Sequence, residues 1–289
     1  MDLQSILTLL FLWLIVVAAV LLLFVYPRYR RKKVDTTPFP APWLQTLRRS
    51  LPIYKTMWPD QQRELRQLIK RFVDSKDFVG CAGQQIDDEI RVTIAAHACL
   101  LLLNRPSHEY QDLRSILVYP STFKVKHDQH DEFGLVTAGE HFLVGESWSN
   151  GKVILAWDSV QQSVQNFADG HNVVLHEFAH QLDHETGNTN GAPLLYNKGA
   201  YGDWSRIFSE EFRHLQHASA AHEQTLIDAY GASNPAEFFA VVTETFYERP
   251  HELATRHGEL FEELKSYYRV DPREWQRAPK PKEPHYATR

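Results

Sequence analysis

His176-Glu177-Phe178-Ala179-His180 carries the clearest chemical signal in the chain. On a helix, residues four apart lie on one face with Cβ atoms about 5–6 Å apart, so two imidazoles can close on one zinc ion at Zn–N distances of about 2.0–2.1 Å. The glutamate between them projects beside that face, where it can take a proton from a metal-bound water. At 100° per residue, His176, His180 and Asp183 fall within about 60° of one another, while Val174, Leu175, Phe178 and Leu182 form an arc on the opposite side. The apolar arc belongs in a core, and the His/Asp face must meet something polar. Solvated helix faces are usually built from Lys, Glu and Arg rather than paired histidines, so the pattern favours metal ligation.

A catalytic zinc needs a third protein ligand and keeps one position open for water. A third histidine downstream of the pair would need Gly and His where Asp183 and Thr186 stand. A second helix is the better source. Asn234-Pro235-Ala236-Glu237 reads as N-cap, proline at the first helical position and an acid at the third, opening the apolar run Phe238–Phe246. Glu237, Glu244 and Glu248 share one face of that helix within about 40°. A capping acid followed by a water-facing stripe gives the same pattern, and spacing alone leaves Glu237 and Glu244 as equal candidates for the ligand. His184 is a candidate extension of the site; His214, His217, His222, His251 and His257 lie in charged helical stretches and read as surface residues. Cys81 and Cys99, the two cysteines, exclude a disulfide framework, a four-cysteine zinc site and an iron–sulfur ligand set, and read as small core residues.

The elements that must hold these residues can be read in outline. Asp60–Lys76 places Leu65, Leu68, Ile69 and Phe72 at helical spacing. Asp87, Asp88 and Glu89 favour a helix N-terminus leading into a buried helix through Leu103. Strand character follows at Ile116–Tyr119, His141–Val144 and Val153–Trp157, with Ser149-Asn150-Gly151 as a turn joining the last two in a hairpin. An exposed edge at Val153–Trp157 would bind an extended peptide by strand pairing; an internal strand fits equally well. Helices dominate again from His171. The order of helices, small sheet and helix bundle predicts an α+β domain.

Ile6–Tyr26 is a run of 21 residues without a charge. As a helix it spans about 31 Å, matching a hydrocarbon core of about 30 Å. A secretory signal would carry its positive charges before a shorter apolar core; here Asp2 precedes the run, and Arg28, Arg30, Arg31, Lys32 and Lys33 follow it. The positive-inside rule then predicts a single-pass anchor in the inner (plasma) membrane with the main domain facing the cytosol. The first 35 residues hold five of the 31 basic and two of the 36 acidic side chains, which leaves residues 36–289 with a net charge of −8. That balance argues against a nucleic-acid partner.

Four segments together resemble the Mlc titration factor A (MtfA) zinc peptidases, a gluzincin group. They are Ile94–Leu103 (IAAHACLLLL), Ile116–Phe123 (ILVYPSTF), Asn172–Asp183 (NVVLHEFAHQLD) and Tyr230 through Phe246, and they span roughly residues 55–270. The resemblance implies an α+β, zincin-like metallopeptidase domain with a small mixed sheet and a helix bundle, here preceded by one transmembrane helix. It implies that His176, His180 and Glu237 hold one Zn2+ per chain and that Glu177 is the general base. It further implies that Tyr230, seven residues before the glutamate ligand, stabilises the oxyanion. Asp183 and Glu244 are then candidates to orient imidazole N–H groups or neighbouring backbone. The expected organisation is an anchor with its basic flank over 1–33, a proline-rich linker over 34–55, the zinc peptidase domain over 56–270 and a disordered tail over 271–289. The activity implied is hydrolysis of a peptide or protein substrate; the alternative is a binding protein that sequesters a transcriptional repressor of the Mlc type. The N-terminal apolar run is a departure from the soluble members of the family.

Overall fold

The computed structural model describes residues 3–105, 110–121 and 151–276. The strand expected at His141–Val144, its turn at Ser149-Asn150 and the tail beyond residue 276 lie outside them. The chain divides into two compact units, one ending at Pro40 and one beginning at Ala41.

In the first unit, helix α1 (Leu3–Val20) runs through a π-helical turn (Leu21–Val25) into α2 (Tyr26–Thr36). Pro27 cannot donate to the helical ladder, and the wide turn just before it accommodates that loss. Arg28 Nη1 turns back to donate to the Phe24 carbonyl at 2.7 Å. The stretch Leu10–Thr36 is long and apolar enough, by length and composition, to cross a membrane, and its side chains point outward, Leu23 being 69% exposed.

The second unit opens with α3 (Ala41–Ser50), inside the stretch whose prolines predicted a linker. Pro42 sits in its first turn, where no amide donor is required, so the proline marks a start rather than a gap. Leu47 and Leu51 are fully buried. At the other end a 3-10 turn, Pro272–Trp275, buries Trp275, whose Nε1 donates to Gln61 Oε1 at 2.9 Å. The folded body therefore reaches past both margins drawn from proline density.

Helix α4 (Pro59–Ser75) buries Leu65, Leu68, Ile69 and Phe72, as its periodicity predicts. Helix α5 (Asp88–Leu100) is capped by Asp87, which accepts from the Ile90 amide at 2.9 Å, and packs among α3, α4 and the motif helix. Three strands, β1 (Asp77–Gly80), β2 (Ser115–Tyr119) and β3 (Lys152–Ala156), form a parallel sheet in the order β1-β2-β3, with Ile116 opposite both Phe78 and Val153. A mixed sheet was expected; among the described residues it is parallel throughout, with β1 and β3 as its two outer strands. Ile116, Val118, Val153 and Leu155 fill the buried face while their neighbours are more accessible, the alternation of a sheet covered on one side. Helices α6 (Trp157–Gln165), α7 (Val173–Asp183), α8 (Tyr201–Ala220), α9 (Pro235–Glu248), α10 (Pro250–Arg256) and α11 (Gly258–Tyr268) complete the body. Helix α9 is buried almost all round, and its Phe238, Phe239, Phe246 and Tyr247 meet Trp204, Phe208, Phe261 and Tyr268 in one aromatic cluster. The pairing of α7 with α9 places the two candidate ligand helices against each other.

Candidate metal centre and active site

Helix α7 begins at Asn172, whose Oδ1 accepts from the Leu175 amide at 3.1 Å. Its apolar arc enters the core as predicted, with Val174, Leu175, Phe178 and Leu182 at 0% exposure. Helix α9 begins at Asn234, whose Oδ1 accepts from the amides of Ala236 and Glu237, both at 3.0 Å. That cap directs the Glu237 carboxylate toward α7. Glu237 Oε2 lies 3.0 Å from His176 Nε2 and 3.4 Å from His180 Nε2, and the two imidazole nitrogens are 3.2 Å apart. A tetrahedral ion with bonds of about 2.0–2.1 Å keeps its ligand atoms about 3.3–3.4 Å apart, so this triangle of two nitrogens and one oxygen has the size and donor chemistry of a zinc site. Among the described residues no fourth His, Cys, Asp or Glu joins this cluster.

The three groups of the triangle hold one another by charge and hydrogen bonding. Burial pushes the His176 imidazole down, but hydrogen bonds to Glu237 and Glu244 outweigh it and hold His176 well above the usual histidine range. Burial takes His180 down to about 4. For Glu237, burial raises the carboxyl, yet the hydrogen bonds from His176 and His180 win and keep it far below the usual carboxylate range. Glu177, 5% exposed, is close enough for its charge to raise both His176 and Tyr230. Tyr230 stands in a 3-10 turn (Ala229–Ala232) capped by Asp228, which accepts from the Tyr230 amide at 2.7 Å. Its ring lies 6.0 Å from that of His176, its hydroxyl donates to Glu237, and burial followed by the nearby Glu237 charge pushes its pKa up.

Glu244 does not lie in the triangle. Its Oε1 accepts from His176 Nδ1 at 2.7 Å, and its Oε2 accepts from the Asn172 amide. A carboxylate on Nδ1 fixes the ring and leaves Nε2 facing the site. Asp183 takes the other role expected of it, holding backbone: its Oδ2 accepts from the Gly191 amide at 2.6 Å, and burial raises its carboxyl to about 6. His184 turns to Thr189, at 3.1 Å, and does not join the site. The water-facing reading of the α9 stripe is overturned, since Glu244 and Glu248 are 5% and 2% exposed.

Gly191 fastens this loop to the ligand helix. At φ +77° its Cα faces the Pro235 carbonyl, 2.3 Å from where a Cβ would stand, and its own carbonyl accepts from Trp204 Nε1 at 3.0 Å. Gly191→Ala is expected to destabilise the protein by about 2–4 kcal/mol, from left-handed strain plus backbone overlap, read as a drop in denaturant midpoint. An unchanged midpoint would show that the loop gives way freely.

Sequence reasoning did not single out the buried group behind Glu244. Asn172 Nδ2 donates to Glu248 Oε1 and to His97 Nδ1, both at 3.0 Å, and His97 Nε2 then donates to the Ser50 carbonyl at 2.9 Å. Glu248 Oε2 accepts from the Gly170 amide at 3.0 Å. Burial lowers His97 to about 4 and raises Glu248 to about 8, which leaves this group at low charge beside the site. One signal was available: an asparagine directly before an apolar helical run is an N-cap, and Asn172 is that residue.

Residues 26–269 match the family model described as glucose-regulated metallo-peptidase M90. The chain belongs to that family. An uncharacterized protein of Synechocystis sp. is 41% identical over 251 residues, covering 86% of this chain and 91% of the relative. Proteins named Mlc titration factor A from Escherichia fergusonii and Klebsiella pneumoniae (strain 342) are each 32% identical over 234 residues, covering 80% of this chain and 86% of theirs. As an MtfA-type member of the M90 metallopeptidases it has a family-level reason to hold a metal ion, and the His176–His180–Glu237 cluster is where the donors converge.

Proposed function

We propose that the protein is a zinc-dependent peptidase, with His176, His180 and Glu237 as metal ligands, Glu177 as general base and Tyr230 as oxyanion donor. The observation that carries the reading is the ligand triangle of 3.0–3.4 Å formed by two helices, with Glu177 beside it, in a metallopeptidase family member. A bound zinc supplies Lewis acidity, lowering the pKa of water towards about 7 and polarising the scissile carbonyl. Glu177 accepts the proton of the attacking water and passes it to the leaving amine. Tyr230, whose raised pKa keeps its proton in place, offers its hydroxyl to the developing oxyanion. Glu244 holds His176 in the tautomer that presents Nε2, and Asp183 holds the loop packed on the start of α9. The test is metal analysis of the purified full chain together with peptide hydrolysis. Activity that disappears with a chelator and returns with zinc supports the reading, and hydrolysis indifferent to chelation sinks it.

The same geometry predicts a proton count. His176 is raised and therefore protonated at pH 7, whereas His180, near 4, is already neutral. Binding zinc at pH 7 is expected to release about one proton, so affinity falls roughly tenfold per unit as pH is lowered from there. Calorimetry in buffers of different ionisation enthalpy measures this; a release near zero or two contradicts the assignment.

A second reading comes from the relatives named Mlc titration factor A: a repressor of the Mlc type as partner, with hydrolysis secondary. Partner binding that survives Glu177→Gln would favour it. The apolar N-terminal helix would place either activity at a membrane, with the basic residues after it retaining the main domain on the cytosolic side.

A further inference from the structure

Arg48, Arg49 and Lys55 line one surface cavity of about 760 Å3 with Gln45, Tyr54 and Gln62. They come from the last turn of α3 and from the 3-10 turn Pro52–Lys55 that follows it. No carboxylate lines the cavity. Arg49 pairs with Glu89 at 2.8 Å, but among the described residues neither Arg48 nor Lys55 has an ion-pair partner. Tyr54 forms a fixed wall: it is 2% exposed, and Arg66 Nη1 donates to its hydroxyl at 2.7 Å. The cavity offers cationic donors, of which Arg48 and Lys55 have no counter-charge among the described residues.

The distribution of charge along the chain indicates which anion this is. Between Pro27 and Pro59 stand Arg28, Arg30, Arg31, Lys32, Lys33, Arg48, Arg49 and Lys55 against Asp35 alone, a net charge of +7. With −5 for the whole chain, everything else carries −12. A nucleic acid or other large polyanion would be repelled by most of such a molecule, whereas a flat anionic surface meeting only the basic segment would not. That segment is covalently continuous with the stretch Leu10–Thr36, and the twelve residues from Thr36 to Arg48 tether the cavity within about 40 Å of it at full extension. Clusters of basic residues directly after a membrane-crossing helix bind anionic headgroups.

We propose that the Arg48–Arg49–Lys55 cavity binds the phosphate of an anionic phospholipid headgroup and so seats the main domain on the membrane that its own N-terminal helix crosses. The inference rests on the anchor reading and is independent of the peptidase chemistry. Seated in this way, the domain would meet substrates at the membrane surface in preference to those in bulk solution.

The test places the full chain in nanodiscs of phosphatidylcholine alone or with phosphatidylglycerol, and follows hydrogen exchange over residues 44–56. Each cation near an anionic leaflet contributes about fivefold to binding. Exchange over 44–56 is expected to be slower in the anionic discs. An Arg48→Gln/Lys55→Gln double variant should shift the docked–undocked equilibrium by on the order of twentyfold and abolish the difference. Salt at about 1 M, where the screening length is about 3 Å, should abolish it as well. Exchange across α7 and α9 reports that the variant is folded. Equal exchange in the two discs, or a difference that survives the double substitution, overturns the proposal. Equal protection by inorganic phosphate in phosphatidylcholine discs would reassign the cavity to a soluble anion. A chain that co-elutes with neither disc overturns the anchor reading and the seating with it, and this outcome is distinct because it is seen before any exchange is measured.

Discussion

Glu177→Gln is expected to retain zinc at the parent's affinity and to lower peptide hydrolysis by about 10²–10⁴-fold, the usual contribution of a positioned general base. Glutamine has nearly the same shape, so the packing of α7 is preserved around a residue that is 5% exposed. It has no lone pair basic enough to take a proton from water, and that is the step the substitution removes. The ligand atoms are untouched, because Glu177 is not among the three that converge within 4.8 Å of one another. A side effect separates this loss from simple misfolding. The Glu177 charge helps to raise both His176 and Tyr230, so removing it should bring both down and weaken the pH dependence of zinc binding. Parental hydrolysis in the variant would remove Glu177 from the role of base, and loss of zinc together with activity would show that the substitution acted through the ligand set instead.

Much of this site was legible in the sequence because helices carry their own geometry. Four residues of spacing placed His176 and His180 on one face, and the opposite arc of Val174, Phe178 and Leu182 oriented that face with no knowledge of the fold. The Asn-Pro-x-Glu start of α9 was equally readable, since a cap and a proline act within one turn. Spacing could not choose between Glu237 and Glu244. Both lie on the face turned to α7, and the choice depends on the height at which the two helices meet, which is a long-range property. In the structure Glu237 reaches the Nε2 side of His176 and Glu244 the Nδ1 side, which favours Glu237 as the candidate ligand. The link from Asn172 to His97, Glu248 and Ser50 was hidden for the same reason, because its members are 47 to 76 positions apart and none forms a local motif. Proline density misjudged both ends of the second unit, since prolines in first turns at Pro42 and Pro272 start helical segments. The parallel arrangement of the strands likewise depends on pairings across more than thirty residues, which alternation within a strand does not encode.

Glu237→Ala is expected to weaken zinc binding by more than about 100-fold, exceeding the roughly 10–100-fold expected for Glu244→Gln, because the first removes a ligand and the second only its neighbour's support. Competition with a chelator of known affinity measures both. The ranking follows from position: Glu237 Oε2 closes the triangle with both imidazoles, at 3.0 and 3.4 Å, whereas Glu244 reaches only the far nitrogen of His176, at 2.7 Å. The metal-free proteins should differ as well. Without Glu237, His176 keeps one carboxylate partner instead of two and its pKa falls, so zinc binding to Glu237→Ala should release less than the single proton expected of the parent. Tyr230 loses its hydrogen-bond acceptor at the same time, and the neighbouring charge that helps to raise its pKa disappears. A Glu237→Ala protein that binds zinc as tightly as the parent would transfer the third corner to Glu244. His176 would then have to turn its ring, because a carboxylate bonded to Nδ1 cannot also complete a site built on Nε2, and a tight-binding Glu237→Ala protein in which Glu244 still holds Nδ1 would leave two imidazoles too few to define a peptidase centre.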